Sequence, residues 1–137
     1  MNKIEKKIYL TAAVAGFTAI ILGTLAAHGL ENLKNTYSYD SFQTGVRYQI
    51  YHSFFLFILG LIPVLNETQK KQIFWLISIG IILFSFSIYA LSTNELTDFN
   101  FAFLGPVTPL GGVFLLLGWL CLIYNLIKII SDAPNLR

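Results

Sequence analysis

Apolar positions in this chain run in four long uncharged stretches, residues 8–30, 48–66, 72–92 and 100–125, and the Lys and Arg residues fall between or outside them. Each stretch is 19 to 26 residues long. About 20 apolar residues at 1.5 Å rise cross a hydrocarbon core of roughly 30 Å, so every stretch is long enough to span. The pattern predicts an all-α, polytopic membrane protein. Residues 1–137 form a single domain, an up-and-down bundle of four transmembrane helices.

Smaller patterns refine the elements. In the first stretch Ala15, Ala19, Gly23 and Ala27 form a ladder at spacing four. Such a ladder permits close helix approach, and tight packing within the chain is preferred over a dedicated dimer face. Between the first two stretches, Tyr37, Tyr39, Phe42, Tyr48 and Tyr51 suit a headgroup belt. Asp40 followed by Gln43 has capping-box spacing, which starts the second helix near Ser41, outside the membrane. Gly45, Gln49, His52, Leu56 and Gly60 then share one helix face, expected to look into the bundle. Pro106 and Pro109 predict an irregular or kinked start to the fourth span.

Composition agrees with the spans: the chain is 55% hydrophobic and 12% charged, with a mean hydropathy of +0.67. Four such segments cannot share one water-soluble core. The net charge of +2 reflects topology rather than a nucleic-acid patch. Lys3, Lys6, Lys7, Lys70, Lys71, Lys128 and Arg137 lie on one side of the four spans, and only Lys34 and Arg47 on the other. The third loop carries Glu95 and Asp98 without a basic residue. The positive-inside rule therefore places both termini in the cytoplasm, in an integral protein of the bacterial cytoplasmic (inner) membrane. Lys3, Lys6 and Lys7 ahead of Leu25-Ala26-Ala27 also have the look of a secretory signal, but the apolar run exceeds a usual signal core and is read as a retained span. Cys121, the one cysteine, is read as a small buried apolar side chain.

Candidate chemistry gathers at one expected depth. Counting from the outer ends of the spans, His28, Tyr48, Gln49, His52, Ser85, Ser87, Tyr89 and Thr108 fall into a polar layer beneath the outer interface. Polar groups at that depth face protein or water rather than lipid. They can satisfy one another across helices, at about 0.6 kcal/mol per bond, or they can line a site. Three kinds of site are open: a pocket for a small or lipidic molecule, a haem or metal site using His28 and His52, and a small channel or uncoupled transporter. With only two histidines and no carboxylate cluster, a metal is poorly supplied with ligands, and no cofactor is expected. No Asp, Glu, Lys or Arg lies in the middle of a span, which argues against an ion-coupled transporter or a voltage sensor. There is no phosphate-binding glycine loop, nucleophile elbow or His-Glu-x-x-His. An enzyme would have to use His28 or His52 as its base, and the chain is expected not to be one.

Taken in order, four groups of residues resemble the signature of a known family. They are Leu22-Gly23-Thr24-Leu25-Ala26-Ala27-His28-Gly29-Leu30; Phe42-Gln43-Thr44-Gly45 with Tyr48-Gln49 and His52; Phe84-Ser85-Phe86-Ser87-Ile88-Tyr89; and Val107-Thr108-Pro109-Leu110-Gly111-Gly112 with Gly118-Trp119. The family is the YgdD-like group of small bacterial inner-membrane proteins, which includes a mitochondrial relative called transmembrane protein 256. The resemblance covers residues 16–119. It implies the same four-helix arrangement and implies nothing about activity, the family being a domain of unknown function. Two departures stand out: Ala26, and Phe86 where the family has glycine. A phenylalanine there fills space the family leaves open.

The sequence therefore points to a small non-enzymatic membrane protein whose polar layer binds a small or lipidic molecule, with His52 and Tyr48 as the foremost contacts, or supports docking to a larger membrane complex or a homo-oligomer. Membrane lipid is the expected surrounding partner.

Overall fold

Helix α1 (Lys3–Gly29) is started by a capping box, in which Asn2 Oδ1 accepts from the Glu5 backbone N–H at 2.8 Å and Glu5 Oε2 accepts from the Asn2 N–H at 3.0 Å. The computed structural model describes residues 1–30 and 36–132. Glu31, Lys34 and Arg137, which enter the loop and charge arguments, lie outside the described residues, as does the side chain of Tyr37. Helix α2 spans Thr36–Leu61. A turn through Pro63 leads to Asn66, whose side chain and that of Gln69 form a second reciprocal capping box at the start of α3 (Glu67–Ser92). Two short 3₁₀ turns, Asn94–Leu96 and Ala102–Leu104, connect to α4 (Val107–Asp132).

The expected all-helical architecture of four long helices is present, with shifted boundaries: α1 starts at Lys3 rather than 8, α3 at Glu67 rather than 72, and α4 runs to Asp132 rather than 125. The α2 helix already includes Asp40, so Asp40 is not a cap; its carbonyl accepts from Thr44 Oγ1 at 2.9 Å within the continuing helix. At its other end α2 stops at Leu61 rather than near residue 66. The α4 helix begins at Val107 rather than 100, with Pro106 just ahead and Pro109 in its first turn, where a missing N–H costs no helical hydrogen bond.

Three helical segments among the described residues, Lys3–Gly29, Glu67–Ser92 and Ala102–Asp132, are long and apolar enough to cross a membrane. The α2 helix matches them in length, at 26 residues, but polar residues dilute its first half. Those in its middle point inward: Gln49, His52 and Ser53 are buried, while Tyr51, Phe54, Phe57, Ile58 and Leu61 are exposed.

Helices α2 and α3 form the central pair. The α1 helix packs along α2, and α4 packs along α3. The small face of α1 is used within the chain: Ala12, Ala19 and Ala26 are fully buried, a Cβ on Gly23 would lie 3.3 Å from Val46, and one on Gly16 would lie 2.8 Å from Ser53 Oγ. This is the intramolecular packing the ladder predicted. Ile8, Leu56, Leu59, Ile73, Ile77 and Leu115 make the apolar centre.

Both termini lie at one end of the bundle. There Lys70, 3% exposed, donates from Nζ to Glu5 Oε1 at 2.8 Å and to the Gly60 carbonyl at 2.9 Å, tying α1, α2 and α3. Gln69 Nε2 donates to Asn125 Oδ1 at 2.7 Å, tying α3 to α4. The sequence pattern places Lys70 in a loop; it is instead a buried first-turn residue of α3 whose charge is paired.

At the opposite, distal end, α3 contains a π turn at Ile82–Phe86. Ser85 Oγ donates to the Gly45 carbonyl at 2.9 Å and Ser87 Oγ to the Phe84 carbonyl at 3.0 Å, so side chains occupy acceptors in and beside the widened turn. Two buried hydroxyls in α3 fare differently: Ser78 Oγ, 8% exposed, and Ser92 Oγ, 4% exposed, have no partner among the described residues. An unsatisfied hydroxyl in an apolar setting is destabilising. Ser78→Ala is therefore expected to raise stability by about 1 kcal/mol, read as a higher thermal unfolding midpoint in detergent; a lower midpoint would show that Ser78 has a partner.

Candidate functional site

The structure draws most of the expected polar layer together and leaves His28 out of it. Gln49, 2% exposed, uses its whole amide: Nε2 donates to the Ala15 carbonyl at 2.9 Å and to Thr18 Oγ1 at 2.8 Å, and Oε1 accepts from Tyr89 Oη at 2.8 Å. Three helices are joined through one side chain. Ser53 Oγ adds a bond to the Ala12 carbonyl at 2.7 Å.

His52 lies beside this network, 7% exposed. Its Nε2 is 3.4 Å from Trp119 Nε1, an indole that can only donate. Nε2 is therefore the acceptor, and Nδ1 carries the proton given to the Tyr48 carbonyl at 2.8 Å. Both ring nitrogens are occupied. Tyr48 itself is 41% exposed; its ring packs on Phe84 at 4.7 Å between centroids. It contributes a carbonyl and an aromatic face, and its hydroxyl is not among the bonds of the layer.

The expected common depth of the two histidines is corrected. Measured along α2, His52 sits roughly 24 Å from Thr36 and roughly 14 Å from Leu61, inside the bundle. His28 is an exposed residue in the last turn of α1. The level of His52 on α1 is given by the bonds to Ala12 and Ala15, which leaves the two histidines about 20 Å apart along the axis. A single iron or other metal ion cannot be shared between them. Among the described residues no group of three or more His, Cys, Asp or Glu is placed to hold a metal.

Space for a ligand lies elsewhere, at the distal end. A cavity of about 310 Å³ is lined by Ser38, Ser41, Thr44, Ile88, Leu91, Ser92 and Thr108. Of the eight residues expected to form a site, only Thr108 lines it, with Ser87 directly behind: Ser87 Oγ and Thr108 Oγ1 are 2.7 Å apart. Ser92 is 4% exposed and its Oγ has no hydrogen-bond partner among the described residues. Ser92 thus lines the cavity as a residue while its Oγ is itself inaccessible to solvent.

Ser38, Ser41, Ser92, Thr18 and Trp119 were not read from the sequence as site residues. A signal for the cavity exists in the chain, since Ser38, Ser41 and Thr44 recur at spacing three on one face of α2. It was masked by reading residues 31–40 as loop and residues 41–47 as a helical extension outside the membrane.

Fold and site together describe a small all-helical membrane protein with a closed polar interior and a distal, hydroxyl-lined cavity. Comparison with known proteins agrees. The chain belongs to the family described as "Protein of unknown function (DUF423)", whose model matches residues 22–112. Among its relatives, a UPF0382 membrane protein of Staphylococcus saprophyticus is 31% identical over 124 residues, covering 90% of this chain and 99% of that protein. The UPF0382 membrane protein YwdK of Bacillus subtilis is 31% identical over 125 residues, covering 90% and 98%. The UPF0382 inner membrane protein YgdD of Escherichia coli is 33% identical over 121 residues, covering 86% and 87%. The YgdD-like resemblance thus holds. No solved structure matches the chain significantly.

Proposed function

We propose that this chain is a non-enzymatic protein of the bacterial cytoplasmic membrane, crossing it four times with both termini inside, and that its distal cavity holds a small or lipidic molecule at the outer face. Topology draws on charge and on the shared end of the termini. Lys3, Lys6, Lys7, Lys70, Lys71 and Lys128 cluster at the terminal end, whereas Glu95 and Asp98 lie at the distal end. Alkaline phosphatase fused after Thr97 is expected to be active, and fused after Asp132 inactive.

The non-enzymatic part of the reading draws on His52. A general base needs a free lone pair within reach of substrate, and this ring has both nitrogens committed inside packed helices. The binding part is carried by one observation, a cavity of about 310 Å³ lined by the hydroxyl residues Ser38, Ser41, Thr44, Ser92 and Thr108 beside the apolar Ile88 and Leu91. A total polar lipid extract should raise the unfolding midpoint of the purified protein. Ile88→Trp, or the milder Leu91→Trp at the half-buried rim, should reduce that shift by filling the cavity. An undiminished shift in both fillers would move binding elsewhere. His52→Ala, remote from the cavity, should lower the midpoint and leave the lipid-induced shift.

A further inference from the structure

The lysines at the terminal end of the bundle are unevenly used. Lys70 is buried and its charge is paired with Glu5. Lys3 and Lys7 of α1 and Lys71 of α3 are exposed, and none of the three forms an ion pair among the described residues. These three line one cleft of about 120 Å³ between the N-terminal turns of α1 and α3, with Ile4 beside them and Glu67 the single acidic residue among those lining it. Glu67, four residues before Lys71, can offset one charge, and the cleft keeps a positive balance. So small a space suits a compact group rather than a drug-sized ligand, whose sites start at roughly 300 Å³. A cation there is set against the lysines, a neutral group leaves their charges unmatched, and an anion satisfies them.

Lys71 also borders a second space. A groove of about 590 Å³ between α3 and α4 is lined by Thr68, Lys71 and Gln72 at its polar end and by Trp75, Leu76, Ile79 and Cys121 beyond. Ile79 stands roughly 12 Å along α3 from Lys71, close to the depth of one leaflet in a hydrocarbon core of roughly 30 Å. In a bilayer a lipid-facing groove of this kind fills with acyl chain, which by itself selects no lipid. The cations at its mouth select. A phosphatidylglycerol headgroup carries a phosphate and no amine, whereas phosphatidylcholine brings an ammonium into a space already held by lysines.

We propose that cleft and groove together form a site for one anionic phospholipid of the cytoplasmic leaflet, with its phosphate among Lys3, Lys7 and Lys71 and one acyl chain in the groove between α3 and α4. Basic pockets on the cytoplasmic side of membrane helices bind anionic headgroups in this way. The leaflet rests on the proposed topology; the site itself is independent of the distal cavity at the other end.

The test follows thermal unfolding of the full-length protein in dodecyl maltoside, titrated with dioleoyl phosphatidylglycerol, dioleoyl phosphatidylcholine or glycerol 3-phosphate. Phosphatidylglycerol should raise the midpoint at concentrations where phosphatidylcholine, with the same chains, does not. Lys71→Gln should weaken the apparent affinity roughly fivefold, the effect of one surface cation on an anionic lipid, and Lys3→Gln combined with Lys7→Gln should weaken it further. Leu76→Trp, which fills the groove, should weaken it as well. Lys128→Gln removes an exposed cation of the same end that lines neither space, and should leave the affinity unchanged. The part of the shift with a total polar lipid extract that Ile88→Trp leaves should fall in Lys71→Gln.

An equal response to phosphatidylcholine overturns the anionic class. Lys128→Gln weakening the response as much as Lys71→Gln overturns the site, leaving only the general charge of that end. Glycerol 3-phosphate matching the lipid overturns the groove and makes the ligand a soluble phosphate. A phosphatidylglycerol shift abolished by Leu91→Trp belongs to the distal cavity and overturns the assignment to this end. Inactive alkaline phosphatase after Thr97 overturns the leaflet alone, and the lipid measurements stand.

Discussion

Gly111→Ala is expected to destabilise the protein by about 3 kcal/mol or more, while Gly112→Ala next to it is close to neutral. At Gly111 an added Cβ would stand 2.3 Å from Phe84 N, 2.7 Å from Phe84 Cα and 2.8 Å from the Leu83 carbonyl carbon. All three are backbone atoms of α3 at its π turn, and no rotamer change can move them aside. Either α4 backs away, opening its contact with α3, or the π turn is remodelled along with the Ser85–Gly45 and Ser87–Thr108 bonds that flank it. At Gly112 the nearest atoms are ring carbons of Phe84 at 3.8 Å, ordinary contact, and alanine gains helix propensity of up to about 1 kcal/mol. Gly118→Ala should fall between, since its clash is with Ile77 Cδ1 at 2.5 Å, the movable end of a side chain. Thermal unfolding in one detergent ranks the three; equal midpoints for the Gly111 and Gly112 variants would mean that α4 does not pack on the π turn as described.

How far the sequence could be read follows from what hydropathy measures. It averages over a helix without regard to direction. The α1, α3 and α4 helices, apolar on most sides, were recognised over most of their length, although four of their six ends differ by five to seven residues. The α2 helix was not, because Ser38, Asp40, Ser41, Gln43, Thr44 and Arg47 lower the average although Ser38 is buried and Ser41, Gln43 and Thr44 are half-buried. Starting the membrane span at Tyr48, with the helix itself expected from Ser41, put His52 near the outer interface and level with His28; the packing of α2 on α1 separates the two. The capping pattern shows the same limit. Asp40-x-x-Gln43 and Asn66-x-x-Gln69 have equivalent spacing, but only the second follows a proline turn that has ended the previous helix, and only the second is a box. Reading it would have put Lys70 inside α3. The hydrogen-bonding types of the polar layer were legible. Their mutual satisfaction was not, because it depends on helix contacts such as Ala15 with Gln49 that no local pattern specifies.

The interior network gives the second large effect. Gln49→Leu is expected to lower stability by roughly 2 kcal/mol, because it removes three interhelical bonds that average about 0.6 kcal/mol each in membrane proteins. It also removes the acceptor that buried Tyr89 Oη reaches at 2.8 Å, leaving Ser85 as its neighbouring hydroxyl. Tyr89→Phe alone removes one bond and leaves Gln49 Oε1 without that donor, so it should cost about 1 kcal/mol. Combined, the two substitutions leave no orphan between α2 and α3, and the double variant is expected to be no less stable than Gln49→Leu by itself. Tyr89 keeps its other role in either background, since its ring packs on Phe42 at 4.7 Å between centroids and lies against Gly45. Additive losses would mean that the hydroxyl and the amide act independently, which is incompatible with the 2.8 Å bond between them. Because the network lies outside the distal cavity, neither substitution should change the midpoint shift produced by a lipid that binds there. A loss of that shift in Gln49→Leu would couple the interior to the cavity through α3, whose π turn is the one irregular element between them.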